Sequence, residues 1–361
     1  NMAMDFASIL SKSFADQLLK EGRADDLNRL AVGTGPFYLI KWIKDDRMIF
    51  GANENYWGGK PYIKKLIFKV IPNNSVRAAE LKTGSIQIMD FPNPEEVNAL
   101  RNNPKLKLTE QEGLNVGYLA FNTQKKPFTD VKVRQAINYA IDKAAIVKAI
   151  YAGLGKVAIN PIPPTMWGYN KDIKDYPYDP AKAKELLKEA GYPNGFETTL
   201  WAMPVPRPYN PNGRKVAEAM QADLAKVGIK AKIVSYDWGT YLQKTKMGEH
   251  DMALLGWTGD NGDPDNFLYT LLSKAAANLP ASNIALWKDN AFDKLVTEAK
   301  ETPDVAKRTA LYEKAQVVFH EQAPWVTLAN SIVVEPMAKN VHGFKLDPVG
   351  KRRFNTVWLS K

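Results

Sequence analysis

Two short stretches gather the side chains that could do chemistry. The first is Gly256-Trp257-Thr258-Gly259-Asp260-Asn261-Gly262-Asp263-Pro264-Asp265-Asn266, which sets three aspartates in a glycine-rich run after an apolar segment. Three readings fit these residue types. The oxygens could ligate calcium, although the spacing is not that of an EF-hand and no glutamate closes the loop. They could cap a turn as Asx side chains. They could form an anionic site at a strand end, where open α/β sheets hold ligands. The second stretch is Trp201-Ala202-Met203-Pro204-Val205-Pro206-Arg207-Pro208-Tyr209-Asn210-Pro211-Asn212. Its four prolines restrict the backbone and can hold Arg207, whose planar fork suits a carboxylate, in one place. Taken alone, it also reads as an exposed connector with a solvated arginine. Taken together, the stretches offer one fixed cation and one fixed anion. A free peptide is a zwitterion, and two opposite charges held a peptide-length apart are the chemistry needed to measure it.

Other chemistries find little support. The three histidines, His250, His320 and His342, fall in no metal-ligand spacing and read as surface or capping residues. No GxSxG, Walker A or GxGxxG run is present, and Gly33-Thr34-Gly35 is too short to cradle a phosphate. The absence of cysteine removes disulfides, thiolate catalysis and zinc–sulfur sites. No metal or other cofactor is expected. The net charge of +10 suits either an anionic partner or a solvated basic surface. The lysines are spread along the chain, and Lys351-Arg352-Arg353 is short, so the solvated surface is expected and nucleic acid is not a partner. No apolar run is long enough to cross a membrane. The start, Asn1-Met2-Ala3-Met4-Asp5, carries no basic leader and reads as a mature or trimmed protein.

The elements that must position Arg207 and Asp260 follow from periodicity and punctuation. The 361 residues suit two or three domains. Apolar spacing predicts a helix over residues 6–20, with Phe6, Ile9, Leu10, Phe14, Leu18 and Leu19 on one face. A hairpin is predicted from residues 37–42 and 47–51, with strands at 66–71, 85–89 and 105–111. Helices are predicted at 75–83, closed by Gly84, and at 95–102. Beyond Gly113 the pattern changes to strands alternating with helices, which argues for an α/β domain over about residues 114–335. Its predicted strands are 117–122, 229–235, 252–256 and 325–328. Its predicted helices are a long one at 131–150, one opened by Asp179-Pro180 and closed by Gly191, one at 215–227 stopped by Gly228, a short one around Tyr241, and one at 308–322.

At these residues the sequence resembles the periplasmic dipeptide-binding proteins of Gram-negative bacteria, within the extracellular solute-binding proteins of family 5. The runs that carry the resemblance are Val32-Gly33-Thr34-Gly35-Pro36-Phe37, Gly113-Leu114-Asn115-Val116-Gly117-Tyr118, Asp130-Val131-Lys132-Val133-Arg134-Gln135-Ala136 and Pro163-Pro164-Thr165-Met166-Trp167-Gly168-Tyr169-Asn170, together with the two stretches above. The resemblance implies a two-lobed venus-flytrap fold of class II type, α/β, with mixed sheets flanked by helices. Residues 1–112 with 336–361 would form a large lobe and residues 113–335 a second one. It implies a binding protein rather than an enzyme, working in the periplasm. It would capture dipeptides and other short peptides and dock on the inner-membrane permease of an ABC transporter. In relatives an arginine in the proline-rich stretch holds the peptide carboxylate, which maps onto Arg207. An aspartate after the Gly-Trp-Thr-Gly strand end holds the ammonium, which maps onto Asp260. Tyr209 and Trp238 match positions beside the ligand, and backbone near Thr258 would pair with the peptide as an added strand. Arg207 and Asp260 are expected to face the cleft and to be largely buried when it closes.

Two departures from the family accompany the match. Relatives begin earlier, so the large lobe is expected to be incomplete, with open sheet edges and exposed apolar surface. Cysteines that form bridges in relatives fall at Ile86, Lys274 and Lys288, so the loop over residues 273–287 is expected to be more mobile. Close relatives bind haem or glutathione, which leaves those ligands as alternatives. A chemoreceptor partner can coexist with transport, whereas a peptidase has no nucleophile–base pair to support it.

Overall fold

In the computed structural model, which describes residues 4, 7–30 and 32–361, the chain divides into two compact units. One comprises residues 1–110 and 334–361, the other residues 111–333.

In the first unit, helix α1 (Lys12–Lys20) starts where the Ser11 hydroxyl accepts from the Phe14 amide. The apolar spacing ahead of it does not continue the helix: Ile9 and Leu10 are exposed, and Phe6 lies outside the described residues. A serine cap at this point supplies an acceptor that the helix interior cannot, so the local signal sets the boundary. Strands β1 (Phe37–Ile43), β2 (Arg47–Ala52) and β3 (Lys65–Lys69) form an antiparallel sheet in that order. Helix α2 (Asn74–Thr83) is capped by Asn73 and ended by Gly84 at φ +81°. The strand expected at residues 85–89 is reduced to a single bridge between Ile88 and Met337. Arg77 draws the carbonyls of Asp90 and Phe91 to its guanidinium, and Phe91 turns to φ +51°, which ends the extended run. Helix α3 (Val97–Arg101) and strand β4 (Leu106–Glu112) follow. The apolar core here is small: Ala78, Leu81, Met89, Leu100 and Leu106 form one cluster and Met337, Val341, Phe344 and Val357 another. Tyr38, Trp42, Trp57 and Tyr62 are exposed. A cavity of about 600 Å³ is lined by Leu66, Phe68, Ile86, Ile88, Phe354 and Glu335.

The second unit is built on a mixed sheet. In chain order its elements are β5 (Asn115–Phe121), α4 (Val131–Ala140), α5 (Lys143–Tyr151), β6 (Gly155–Val157), α6 (Pro180–Glu189) and β7 (Glu197–Trp201). Then come α7 (Gly213–Ala225), β8 (Lys230–Val234), α8 (Trp238–Lys246) and β9 (Met252–Thr258). Helices α9 (Asp265–Leu272), α10 (Asn290–Glu301) and α11 (Val305–Gln322) lead to β10 (Trp325–Ala338), the strand in which the chain leaves the unit. The short pair β11 (Val341–His342) and β12 (Trp358–Leu359) belongs to the first unit. Within this unit the sheet order is β10-β5-β9-β7-β8, with β6 on β10. β7 runs parallel to β8 and β9, whereas β5 is antiparallel to β9 and β10. Every residue of β5 is buried, as a central strand covered on both faces requires.

The single helix expected at residues 131–150 is two. Ile141 is extended (φ −95°, ψ 119°), and Asp142 caps α5 by accepting from the Ala145 amide. The freed Asp142 amide donates to Asp223 Oδ2 on α7 at 3.0 Å, so the break is paired from outside the helix. Residues 273–287, expected to be loose without a bridge, are tied by Asn283, which is buried and donates to the carbonyls of Ser273 and Trp287.

Candidate functional site

Arg207 opens a tight turn. Its amide donates to the Asn210 carbonyl at 2.9 Å, and the Asn210 amide returns the bond at 3.0 Å. Pro208 sits at the second turn position, where its fixed φ is already that of the turn. The guanidinium, half-buried, lies over the Trp238 ring with 4.8 Å to the centroid and donates to the Pro206 carbonyl. Trp238 stands at the first position of α8, capped by Asp237, and stacks on Tyr241. Tyr241 is buried, and its hydroxyl reaches the carbonyls of both Trp201 on β7 and Leu254 on β9. The aromatic base under Arg207 is thus pinned to two strands.

Tyr209, also in the turn, is buried against β9. Burial pushes its phenol up to about 12, with the adjacent Arg207 pulling the other way. Thr258 is the last residue of β9 and pairs with Asn115. β7 meets β9 only through Met252 and Ala253, so from Leu254 to Thr258 the ladder of β9 is on its β5 side. The Leu254 carbonyl is taken by the Tyr241 hydroxyl, and from Leu255 onward the opposite edge carries backbone groups that an extended chain could pair with.

Asp260 follows two residues later and is exposed. Asn266 Nδ2 donates to its Oδ2 at 3.0 Å, while Asn266 Oδ1 accepts from the Asp260 amide and the Trp257 indole, each at 2.9 Å. Of the other aspartates, Asp263 is engaged elsewhere, whereas Asp265 is half-buried and its Oδ1 is buried without a hydrogen-bond partner. Asp263 receives Arg308 Nη2 at 2.9 and 3.0 Å, and both Asn261 and Asp263 accept amides two residues on, as Asx turns do. Among the described residues no three acidic or imidazole groups converge as a cation site, and the run consists of capped turns, the half-buried carboxylate of Asp265 and the outward carboxylate of Asp260. Asn266 and Arg308 escaped sequence reading because their partners are set by the turn and by α11.

His250 corrects the expectation of surface histidines. It is fully buried, its Nε2 donates to the Ile284 carbonyl at 2.9 Å, and burial lowers its pKa to about 4. His320 stacks on Tyr176 and His342 on Trp358.

Residues 2–278 match the model of the bacterial extracellular solute-binding proteins, family 5 middle region. The chain belongs to this family of binding proteins. It is 53% identical to the dipeptide-binding protein of Escherichia coli (strain K12) over 99% of its own length and 66% of that relative. It is 46% identical to heme-binding protein A of Haemophilus influenzae (strain ATCC 51907 / DSM 11121 / KW20 / Rd), over 98% of the chain and 64% of the relative. The chain therefore spans about two thirds of the length of these curated relatives. Among solved structures, the ABC transporter-associated periplasmic binding protein from Helicobacter pylori in complex with the peptide STSA superposes with a TM-score of 0.94. Identity there is 47%, covering 100% of this chain and 70% of that one. A Pseudoalteromonas sp. SM9913 dipeptide-binding protein in complex with Met-Leu gives 0.94 at 37% identity, covering 100% and 71%. The fold is the mixed α/β fold of periplasmic binding proteins. No helix among the described residues is long and apolar enough to cross a membrane.

Proposed function

We propose that this chain captures short peptides, dipeptides first, by their charged termini and backbone, and delivers them in the periplasm to the inner-membrane permease of an ABC importer. One observation carries the reading. A turn-locked arginine and an asparagine-held aspartate are both attached to β9, and the backbone of β9 between them has a ladder on one edge only. Arg207 would take the peptide carboxylate with its fork and Asp260 the ammonium. The segment from Leu255 to Thr258 would take the peptide backbone as an added strand. Trp238 and Tyr209 would flank the ligand. These groups recognise what all peptides share, so side chains can vary. Nothing in this scheme asks for catalysis, and the peptide leaves intact.

Calorimetry with dialanine, N-acetyl-dialanine and dialanine amide tests it. Each blocked form should bind at least about tenfold more weakly, since each leaves one of the two charges without its partner. Equal binding of the three peptides would remove terminal recognition. The similarity to a protein named for heme keeps a second reading in view. Native mass spectrometry of protein purified from its host should return peptide masses under the proposal, and a haem or glutathione mass under the alternative.

A further inference from the structure

Glycine in a strand interior gives up side-chain packing and backbone order, so two glycines opposite each other in a central ladder call for a reason. Gly117 of β5 pairs with Gly256 of β9, and the row continues to Ala329 of β10. Opposed residues of neighbouring strands share a face. On that face sits Tyr209. A methyl group at Gly117 would fall on the Tyr209 carbonyl oxygen, and one at Gly256 would lie 2.5 Å from Tyr209 Cγ. Neither contact can be relieved by the far end of a flexible side chain, because one is backbone and the other a buried ring. The same Tyr209 carbonyl accepts from the Tyr151 hydroxyl at 2.7 Å, with Tyr151 itself buried. Tyr209 is therefore held by a notch in the sheet and by a hydrogen bond from α5, and it is the third residue of the turn that begins at Arg207.

We propose that Gly117 and Gly256, with Tyr151, are positioning residues for ligand capture. The paired glycines leave the notch that seats Tyr209, and the seated Tyr209 fixes the turn that aims Arg207 at the ligand carboxylate. The inference rests on the peptide-binding reading above and deepens it. The proline-rich stretch has no regular strand or helix of its own from Ala202 to Asn212. Its placement must come from what it docks on, and at Tyr209 the docking surface is these two residues without a Cβ.

The test uses Gly256→Ala and Tyr151→Phe, each alone and each combined with Arg207→Ala. Dialanine affinity is measured by calorimetry, and amide exchange is measured at Arg207 and Asn210 in the peptide-free chain. Gly256→Ala should weaken dialanine at least about tenfold and Tyr151→Phe at least about threefold. Either change should add less than about twofold once Arg207 is already alanine, because it acts through that side chain. The Arg207 and Asn210 amides, which close the turn, should exchange at least about tenfold faster in both variants. Losses that multiply fully in the double variants would mean the notch serves the sheet and not Arg207, and the inference fails. Unchanged exchange at both amides also overturns it. The exchange measurement needs no ligand, so a wild-type chain that ignores dialanine sinks the functional reading while the positioning role is still decided. Tyr151→Phe adds no bulk, and it decides the matter should Gly256→Ala not fold.

Discussion

Asn266 and Asp260 are joined twice: Asn266 Nδ2 donates to the Asp260 carboxylate at 3.0 Å, and Asn266 Oδ1 accepts the Asp260 amide at 2.9 Å. The buried amide therefore fixes both the backbone and the side chain of an exposed acid. It also accepts the Trp257 indole, so its orientation is set by a third group. An exposed carboxylate would otherwise sample several rotamers, and holding it in advance lowers the entropy cost of meeting an ammonium.

Asn266→Ala should accordingly weaken dialanine about tenfold, or about 1.4 kcal/mol, and leave N-acetyl-dialanine little changed. The acetylated peptide has no ammonium for Asp260 to meet. The melting temperature should also fall, because the Trp257 indole and the Asp260 amide lose their acceptor. Calorimetry with the two peptides separates the effects. An equal loss for both would show that Asn266 supports the fold and not the carboxylate.

At Arg207 the question is whether charge alone suffices. Arg207→Lys keeps the cation but loses the planar fork and most of the stacking on Trp238. Dialanine binding should weaken about tenfold in Arg207→Lys and further in Arg207→Ala. Dialanine amide should bind all three proteins alike. A lysine variant with wild-type affinity would mean that a point charge is enough and that the fork plays no part.

Much of the second unit could be read because its signals are local. Asp179, Pro180 and Gly191 announce α6 within the residues they bound, and the structure places the cap, the first turn and the positive φ there. The division of residues 131–150 could not be read so. Helical periodicity runs through Ile141 and Asp142, and the group that pairs the broken amide is Asp223, far along the chain. The family-bearing runs also conceal their work. Arg134 is buried and staples α4 to the carbonyls of Gln322 and Phe128, a structural role its sequence position does not reveal. In the proposed site, Arg207 and Asp260 stood out by residue type, whereas Asn266, Gly117 and Gly256 would act through a turn and a strand register that only the folded chain displays.

The helix break gives its own test. Asp142→Ala removes the side-chain cap of α5 while Ala can continue the helix. Loss of the cap should cost about 1 kcal/mol and lower the melting temperature by about 2–4 °C. Dialanine affinity should not change. Thermal unfolding checks this directly, and a stabilised variant would indicate that the two helices prefer to be one.

Two buried groups give the chain opposite pH dependences, one in each unit. Burial, followed by the neighbouring Asp90, pushes Glu335 from 4.5 up to about 9, although Arg352 donates to the same acid. Native Glu335 is thus protonated where the unfolded chain has lost the proton. Its contribution to stability is present in full below pH 4.5 and is lost as pH rises toward 9. For His250 the sign is reversed. Burial lowers its pKa from 6.5 to about 4, so the native ring stays neutral where the unfolded ring takes a proton. The stability held above pH 6.5 is then lost as pH falls toward 4. Glu335→Gln keeps a neutral side chain of the same shape, and His250→Gln keeps a donor for the Ile284 carbonyl. Melting temperatures from pH 4 to 9 should lose the alkaline decline in Glu335→Gln and the acid decline in His250→Gln. Amide exchange should place the alkaline loosening in residues 1–110 and 334–361 and the acid loosening in residues 111–333. An alkaline slope that survives Glu335→Gln intact would assign it to another group and show that Glu335 is ionised in the folded chain.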